Sequence, residues 1–207
     1  YDFENKKNMW NVSLRQILQM IKKLVYKKII FNNIQINDFE NILEKDGLFT
    51  FPAGPTLANL KYGSKYHQAL INSNLVFFDS GYFVLLLRFL KKIKVIKFSG
   101  YKFLKLLFIY LKKNNDKKIF LVNPNSKSSK INETYLRKIG VCNIKSYESP
   151  MYNPNSIEDY DLLKLISKNQ PDYVIINLGG GVQEVLGYFL KKKITPNIKI
   201  FCTGGAI

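Results

Sequence analysis

Two places in this sequence bring together residue types that can do chemistry. The first is Asp79, which ends the apolar run Leu75-Val-Phe-Phe and is followed by Ser80 and Gly81. A carboxylate just beyond a strand is both held still and reachable, so it can take a proton from an attacking hydroxyl. Asp-Ser-Gly is also ordinary turn chemistry, with Asp79 as a cap on the next helix. The sequence leaves both readings open. The second place is Asn177-Leu-Gly-Gly-Gly-Val-Gln-Glu184. Gly179, Gly180 and Gly181 let backbone amides approach a phosphate, and the amino end of a following helix adds partial positive charge. Gln183 and Glu184 then fall in the first helical turn. There they can contact a nucleotide or sugar, or simply favour the helix start. The block is neither G-x-G-x-x-G nor a P-loop, because Val182 and Glu184 break the first pattern and no Gly-Lys-Ser/Thr follows. Thr50-Phe-Pro-Ala-Gly54 is a third candidate, either a strand-end loop facing the same crevice or a proline-broken turn.

Other chemistries find less support. His67 is the only histidine and falls within an expected helix, which makes it a surface or packing residue. Cys142 and Cys202 are far apart and lack ligand-forming neighbours. Cys202 ends an apolar run and reads as a buried free thiol, which fits a reducing compartment. No metal site is expected, since there is no acidic cluster and no D-x-D-like pair at a strand end. No cofactor is expected either.

Charge is the unusual bulk property. The 32 Lys+Arg residues against 15 Asp+Glu give a formal +17. That draws the chain toward an anionic partner, or reflects a lysine-rich genome. Only Arg15, Arg88 and Arg137 are arginines, and base readout favours arginine. The basic, aromatic stretches 89–97 and 101–113 read as core-facing helices and strands with lysine rims. No nucleic-acid partner is expected. The polar start Tyr1–Met9 does not resemble a signal peptide, and no apolar run reaches the ~18 residues of a spanning helix. The opening residue is not Met, so the chain is compatible with a fragment.

These candidates need elements to position them. Apolar Leu14, Ile17, Leu18, Ile21, Leu24 and Val25, with Lys22, Lys23, Lys27 and Lys28 between, predict a helix over 13–30. Further helices are expected over 56–71, 82–92, 103–113, 129–139, 156–168 and 182–193. Strands are expected over 47–51, 75–78, 94–98, 118–122, 143–146, 173–178 and 199–202. The alternation predicts an α/β fold, a Rossmann-like parallel sheet with helices on both faces. Ligands in such sheets bind beyond the carboxyl ends of the strands. The chain divides into an N-terminal helical segment, 1–45, and a Rossmann-like domain, 46–207.

Several of these blocks resemble one family. Asp172-Tyr-Val-Ile-Ile-Asn-Leu-Gly-Gly-Gly-Val-Gln-Glu184 resembles the D-x-x-x-V-x-L-G-x-P-x-Q-E region of the WecG/TagA/CpsF glycosyltransferases. Leu75-Val-Phe-Phe-Asp79-Ser-Gly is similar to their A-D-x-x-x-x-D-G strand end. Lys97-Phe-Ser-Gly100 and Ile200-Phe-Cys-Thr-Gly-Gly-Ala206 stand where they have R-x-x-G and V-G-G-x-F. The resemblance implies an inverting, metal-independent transfer of an N-acetylmannosamine-type sugar from a UDP-sugar donor to a polyprenyl-diphosphate-linked acceptor in surface polysaccharide synthesis. It implies Asp79 as catalytic base. Thr50, Lys97, Gly179, Gly180, Gly181, Gln183 and Glu184 would bind substrate. The place of action would be cytoplasmic, peripheral at the inner face of an anionic membrane. Departures are Pro52 for the family's Asn, Ser80 for a Gly, Lys97 for an Arg, Lys102 for an Asp and Gly181 for a Pro. They motivate an alternative, a catalytically impaired relative that binds a nucleotide sugar or anionic lipid.

Overall fold

The computed structural model describes residues 19–194, 198–205 and 207. Ten strands and eight α-helices follow one another among these residues. They are β1 (Gln19–Met20), β2 (Lys23–Tyr26), β3 (Ile29–Asn32), α1 (Phe39–Leu43), β4 (Gly47–Thr50), α2 (Gly54–Ala58), α3 (Lys65–Ile71), β5 (Leu75–Phe77), α4 (Gly81–Lys91), β6 (Ile93–Lys94), α5 (Gly100–Lys113), β7 (Ile119–Asn123), α6 (Ser126–Lys138), β8 (Ile144–Glu148), α7 (Tyr160–Asn169), β9 (Tyr173–Ile176), α8 (Val182–Lys193) and β10 (Lys199–Cys202).

Eight strands form one sheet in the order β2-β3-β5-β4-β10-β9-β7-β8, and every neighbouring pair is parallel except β2 with β3. The α/β, Rossmann-like expectation holds. The central strands are apolar on both faces because helices cover both. Phe49, Leu121, Tyr173, Ile175 and Phe201 meet α1, α5 and α6 on one side. Leu48, Phe120, Val122, Val174, Ile176, Ile200 and Cys202 meet α7 and α8 on the other. A strand buried on both faces has no polar alternation to display. Register then aligns the strand ends: Val76, Thr50, Cys202, Ile176 and Val122 lie in one row across the sheet. Whatever follows these residues projects into a common crevice.

The amino-terminal part differs from its sequence pattern. Residues 13–18 of the expected helix lie outside the described residues. Residues 23–32 are not helical but form the antiparallel hairpin β2–β3, with Leu24 opposite Phe31 and Val25 opposite Ile30. The turn residues Lys27 and Lys28 have φ of 49° and 64°, a left-handed pair that Asn-Gly usually supplies. Tertiary contacts hold this turn. His67, buried on α3, accepts from the Gly63 amide at Nδ1 (3.0 Å), so its Nε2 carries the proton and donates to the Lys27 carbonyl at 2.7 Å. Phe31 packs on Phe78 and Phe83. His67 is thus a packing residue, as one of the two expectations had it, and is not on the surface.

Two further elements are shorter than expected. The helix expected over 56–71 is two, α2 and α3, separated where Asn59 caps one and Ser64 accepts from the His67 amide to start the next. The strand expected over 94–98 is reduced to β6, which pairs with β1 outside the main sheet. The chain beyond β6 is held instead by the Ile96 amide on Asn33 Oδ1 (2.8 Å) and the Phe98 amide on the Phe78 carbonyl (3.0 Å). That second bond lays residues 97–100 beside the end of β5.

Replacing His67 by Ala leaves the Lys27 carbonyl of the hairpin turn and the Gly63 amide without their partner. The variant should lose about 1–3 kcal/mol of stability in urea unfolding, the cost of leaving a buried polar group unpaired. An unchanged midpoint would mean that the hairpin turn does not depend on His67.

Candidate active site

The crevice beyond β4, β5, β9 and β10 gathers most of the residues singled out from the sequence. Asp79 stands two residues past β5. Its Oδ1 accepts from the Gly100 amide at 3.0 Å, at the first residue of α5. Ser80, not Asp79, caps α4, its hydroxyl accepting from the Phe83 amide at 3.2 Å. Asp79 Oδ2 takes part in none of the hydrogen bonds among the described residues. Desolvation pushes the Asp79 carboxyl above the usual carboxylate range, while the Gly100 amide and the Lys97 ammonium act the other way. Lys97 reaches over Gly81, where a Cβ would lie 3.6 Å from its Nζ.

The glycine-rich loop between β9 and α8 is built around Glu184. Gly181 has φ of 90°, a conformation that glycine adopts without steric cost. Its amide donates to Glu184 Oε2 at 2.6 Å. Glu184 Oε1 accepts from Gln183 Nε2 at 3.2 Å, and Gln183 Oε1 accepts from the Gly204 amide at 2.7 Å. The chain of bonds joins the exit of β9 to the exit of β10. Cys202, a buried free thiol, adds a bond from Sγ to the Gln183 carbonyl at 3.2 Å. Glu184 is wholly enclosed and Gln183 almost so. Their polar atoms are engaged in shaping the loop. Burial pushes Glu184 up to about 7, its hydrogen bonds oppose that, and the Asp79 charge adds to it. The base candidate is thus near enough to the loop for its charge to be felt at Glu184.

The three glycines serve different ends. A Cβ on Gly180 would lie 2.6 Å from Thr56 Oγ1, so α2 packs directly on the loop. Gly179 is exposed and has nothing within 4 Å of the space a Cβ would take. Its surface faces open solvent, where a ligand can approach. Gly100 closes the other side, since a Cβ there would lie 2.8 Å from the Thr203 carbonyl. The start of α5 and the exit of β10 therefore touch.

Thr50 is the candidate the structure sets apart. It ends β4 in the aligned row, but it is fully buried and its hydroxyl donates to Ser73 Oγ at 3.3 Å. Asn123, Asn177 and Thr203, to which the sequence reading gave no role of their own, stand at the same edge. Thr203, beyond β10, is buried with its hydroxyl unpartnered. Asn177 donates to Asn123 Oδ1 at 2.9 Å, as does Asn132, and Asn177 Oδ1 is buried without a partner. The available signal was polar side chains directly after wholly apolar strands. Among the described residues no group of three His, Cys, Asp or Glu could hold a metal ion. A cavity of 330 Å³ between α5 and α6, floored by Leu104 and Phe108, contains none of the candidate residues.

The buried Glu184 carries a pH dependence. Its folded value of about 7 lies above the ordinary 4.5, so between these limits the folded chain keeps a proton that the unfolded chain has released. Stability from this group is full below the lower value and falls as pH rises through the upper one, by about 3 kcal/mol in total. Glu184→Gln retains an acceptor for Gly181 and should flatten the decline in unfolding free energy between pH 5 and 7. A slope equal to that of the wild type would place the carboxylate in water.

A proton-accepting carboxylate near a lysine, opposite a glycine loop at a helix amino end, can activate a hydroxyl and receive a phosphate-bearing leaving group. A search of curated proteins gives no match. The profile of the glycosyl transferase WecG/TagA/CpsF family matches residues 25–207, nearly the whole chain. The match begins within the hairpin and spans every strand of the crevice, so the chain belongs to the WecG/TagA/CpsF family of glycosyltransferases, enzymes of cell-surface polysaccharide synthesis.

Proposed function

We propose that this chain transfers an N-acetylmannosamine-type sugar from a UDP donor to a polyprenyl-diphosphate-linked acceptor, with inversion at the anomeric carbon. The carrying observation is Asp79: a carboxylate at a strand end, raised by burial, with one oxygen anchored on Gly100 and the other uncommitted. Asp79 takes the proton of the acceptor hydroxyl as that oxygen attacks the anomeric carbon. The bond to UDP breaks on the opposite face, and UDP departs with the electron pair. The Gly179 and Gly180 amides and the amino end of α8 receive the diphosphate, with Lys97 adding positive charge. Gln183 and Glu184 hold the loop in the shape this requires. Thr50 supports the site by fixing the end of β4. The reaction takes place on the cytoplasmic side, peripheral to an anionic membrane that carries the acceptor. No helix among the described residues is long and apolar enough to cross a membrane.

Asp79→Asn keeps the bond to Gly100 and removes the proton acceptor. Turnover, read as UDP release with UDP-sugars and a short-chain lipid acceptor, should fall by ~10²-fold or more with the melting temperature unchanged. Equal turnover in the folded variant would reduce Asp79 to an anchor for α5. Retained UDP binding with no turnover in the wild type, under any donor tried, would favour the impaired relative.

The acidic limb of kcat/KM should lie above the usual carboxylate range, since activity appears only as Asp79 loses its proton. Removing the opposing charge with Lys97→Met should move that limb to still higher pH and weaken UDP binding. For the loop, Gly179→Val is the informative change because its Cβ meets no protein atom. UDP affinity should drop at constant melting temperature, whereas Gly180→Val would also collide with Thr56.

A further inference from the structure

Helix α4 is apolar on both sides. Its inner side, Phe83, Val84 and Leu87, packs against Ile29, Phe31, Val76 and Phe78. Its outer side carries Tyr82, Leu85, Phe89 and Leu90, which are 69, 49, 65 and 72% exposed. Positions 82, 85 and 89 form one stripe along a 3.6-residue helix, and Leu90 widens it. A helix that is apolar all round is expected to be covered all round. Here only the inner half has a partner among the described residues.

The charge around this stripe has one sign. Arg88, Lys91, Lys92, Lys94 and Lys97 are exposed on α4 and just after it. From residue 80 to 115 the sequence holds nine Lys and Arg and no Asp or Glu. Acidic residues are gathered elsewhere, as at Asp38, Glu40, Glu44 and Asp46 around α1. Location matters as well. Ser80, the cap of α4, directly follows Asp79, so the stripe begins at the mouth of the candidate active site.

We propose that the outer face of α4 docks on an acidic lipid bilayer, with Tyr82, Leu85, Phe89 and Leu90 entering the interfacial region and Arg88, Lys91 and Lys92 meeting the anionic headgroups. This deepens the transferase reading and rests on it for its purpose, which is to bring Asp79 to a lipid-linked hydroxyl. Charge selects the occupant. A second copy seated face to face would bring Arg88, Lys91 and Lys92 of both chains together, in molecules that each carry a formal +17. An acidic bilayer neutralises the same cations while it accepts the apolar stripe. Tyr and Phe beside Lys and Arg are also the composition that favours the headgroup level.

The test is co-sedimentation of the full chain with vesicles of pure phosphatidylcholine and with vesicles containing roughly 30% phosphatidylglycerol, enough to give an anionic surface, at two salt concentrations. The wild type should bind the acidic vesicles, more weakly at high salt, and leave the neutral ones. A variant with Tyr82, Leu85, Phe89 and Leu90 all changed to Ser should bind at least ~10-fold less at low salt. A second variant, Arg88→Gln with Lys91→Gln and Lys92→Gln, should lose the salt-sensitive part alone. Circular dichroism melts establish that both remain folded. Equal binding to both vesicle types, or undiminished binding by the folded four-Ser variant, overturns the proposal. So does a wild-type dimer that the same variant dissolves without any vesicle binding. UDP affinity and UDP release to a water-soluble short-chain acceptor are measured alongside. Their loss in the wild type with vesicle binding intact would sink the transferase reading and not the surface.

Discussion

A carboxylate with no access to water stands behind the glycine-rich loop, and the shape of the crevice depends on it. Glu184 is enclosed completely, and an ionised carboxylate is stable there only while its oxygens are occupied. The Gly181 amide and the Gln183 side chain occupy them. Gln183 passes the constraint to Gly204 through its other end. One buried group thereby sets the turn at Gly181, the start of α8 and the path of the chain after β10. Desolvation makes this arrangement demanding, because each missing bond would leave a polar group, charged once the pH passes about 7, in a region that cannot solvate it.

The opposite wall of the crevice is fixed by steric and backbone means. Gly100 has no side chain, and only that absence lets α5 begin against the Thr203 carbonyl. Its amide is then in place to hold Asp79. The Phe98 amide on the Phe78 carbonyl keeps the intervening loop parallel to the end of β5. Asp79 and Glu184 thus reach the same space from two halves of the sheet, close enough for one charge to act on the other. The Asp79 charge raises the Glu184 carboxyl least of the influences on it, after burial and its own hydrogen bonds, while Asp79 itself answers to burial, the Gly100 amide and Lys97. The chain belongs to a family of glycosyltransferases, and the reaction proposed for it is placed in this crevice.

Several elements were legible in the residues themselves. The apolar runs that lead to Gly179 and to Asp79 were legible as strands, while the residues after them allowed either a functional loop or an ordinary turn. Apolar strands without alternation require cover on both faces, and helices between them supply it. Helices α4, α5, α6 and α8 began within three residues of expectation, because Ser80, Ser99, Asn125 and the glycine turn are strong start signals. The hairpin β2–β3 was not legible. Its apolar residues recur at helical spacing, its turn is Lys27-Lys28, and the contacts that hold it come from His67 and Phe83, 40 or more residues away.

Local pattern, then, determined the parallel α/β architecture and the candidate base and loop, since period, caps and glycine turns act within a few residues. Tertiary structure alone decided which side chains remain available. Thr50 and Gln183 are as polar in sequence as Asp79, yet packing turns one toward Ser73 and the other toward Gly204. It also decided that α4 keeps a face uncovered by the described residues, which no periodicity distinguishes from a core helix. Burial and partner choice depend on what folds over a residue, and that cover comes from distant parts of the chain.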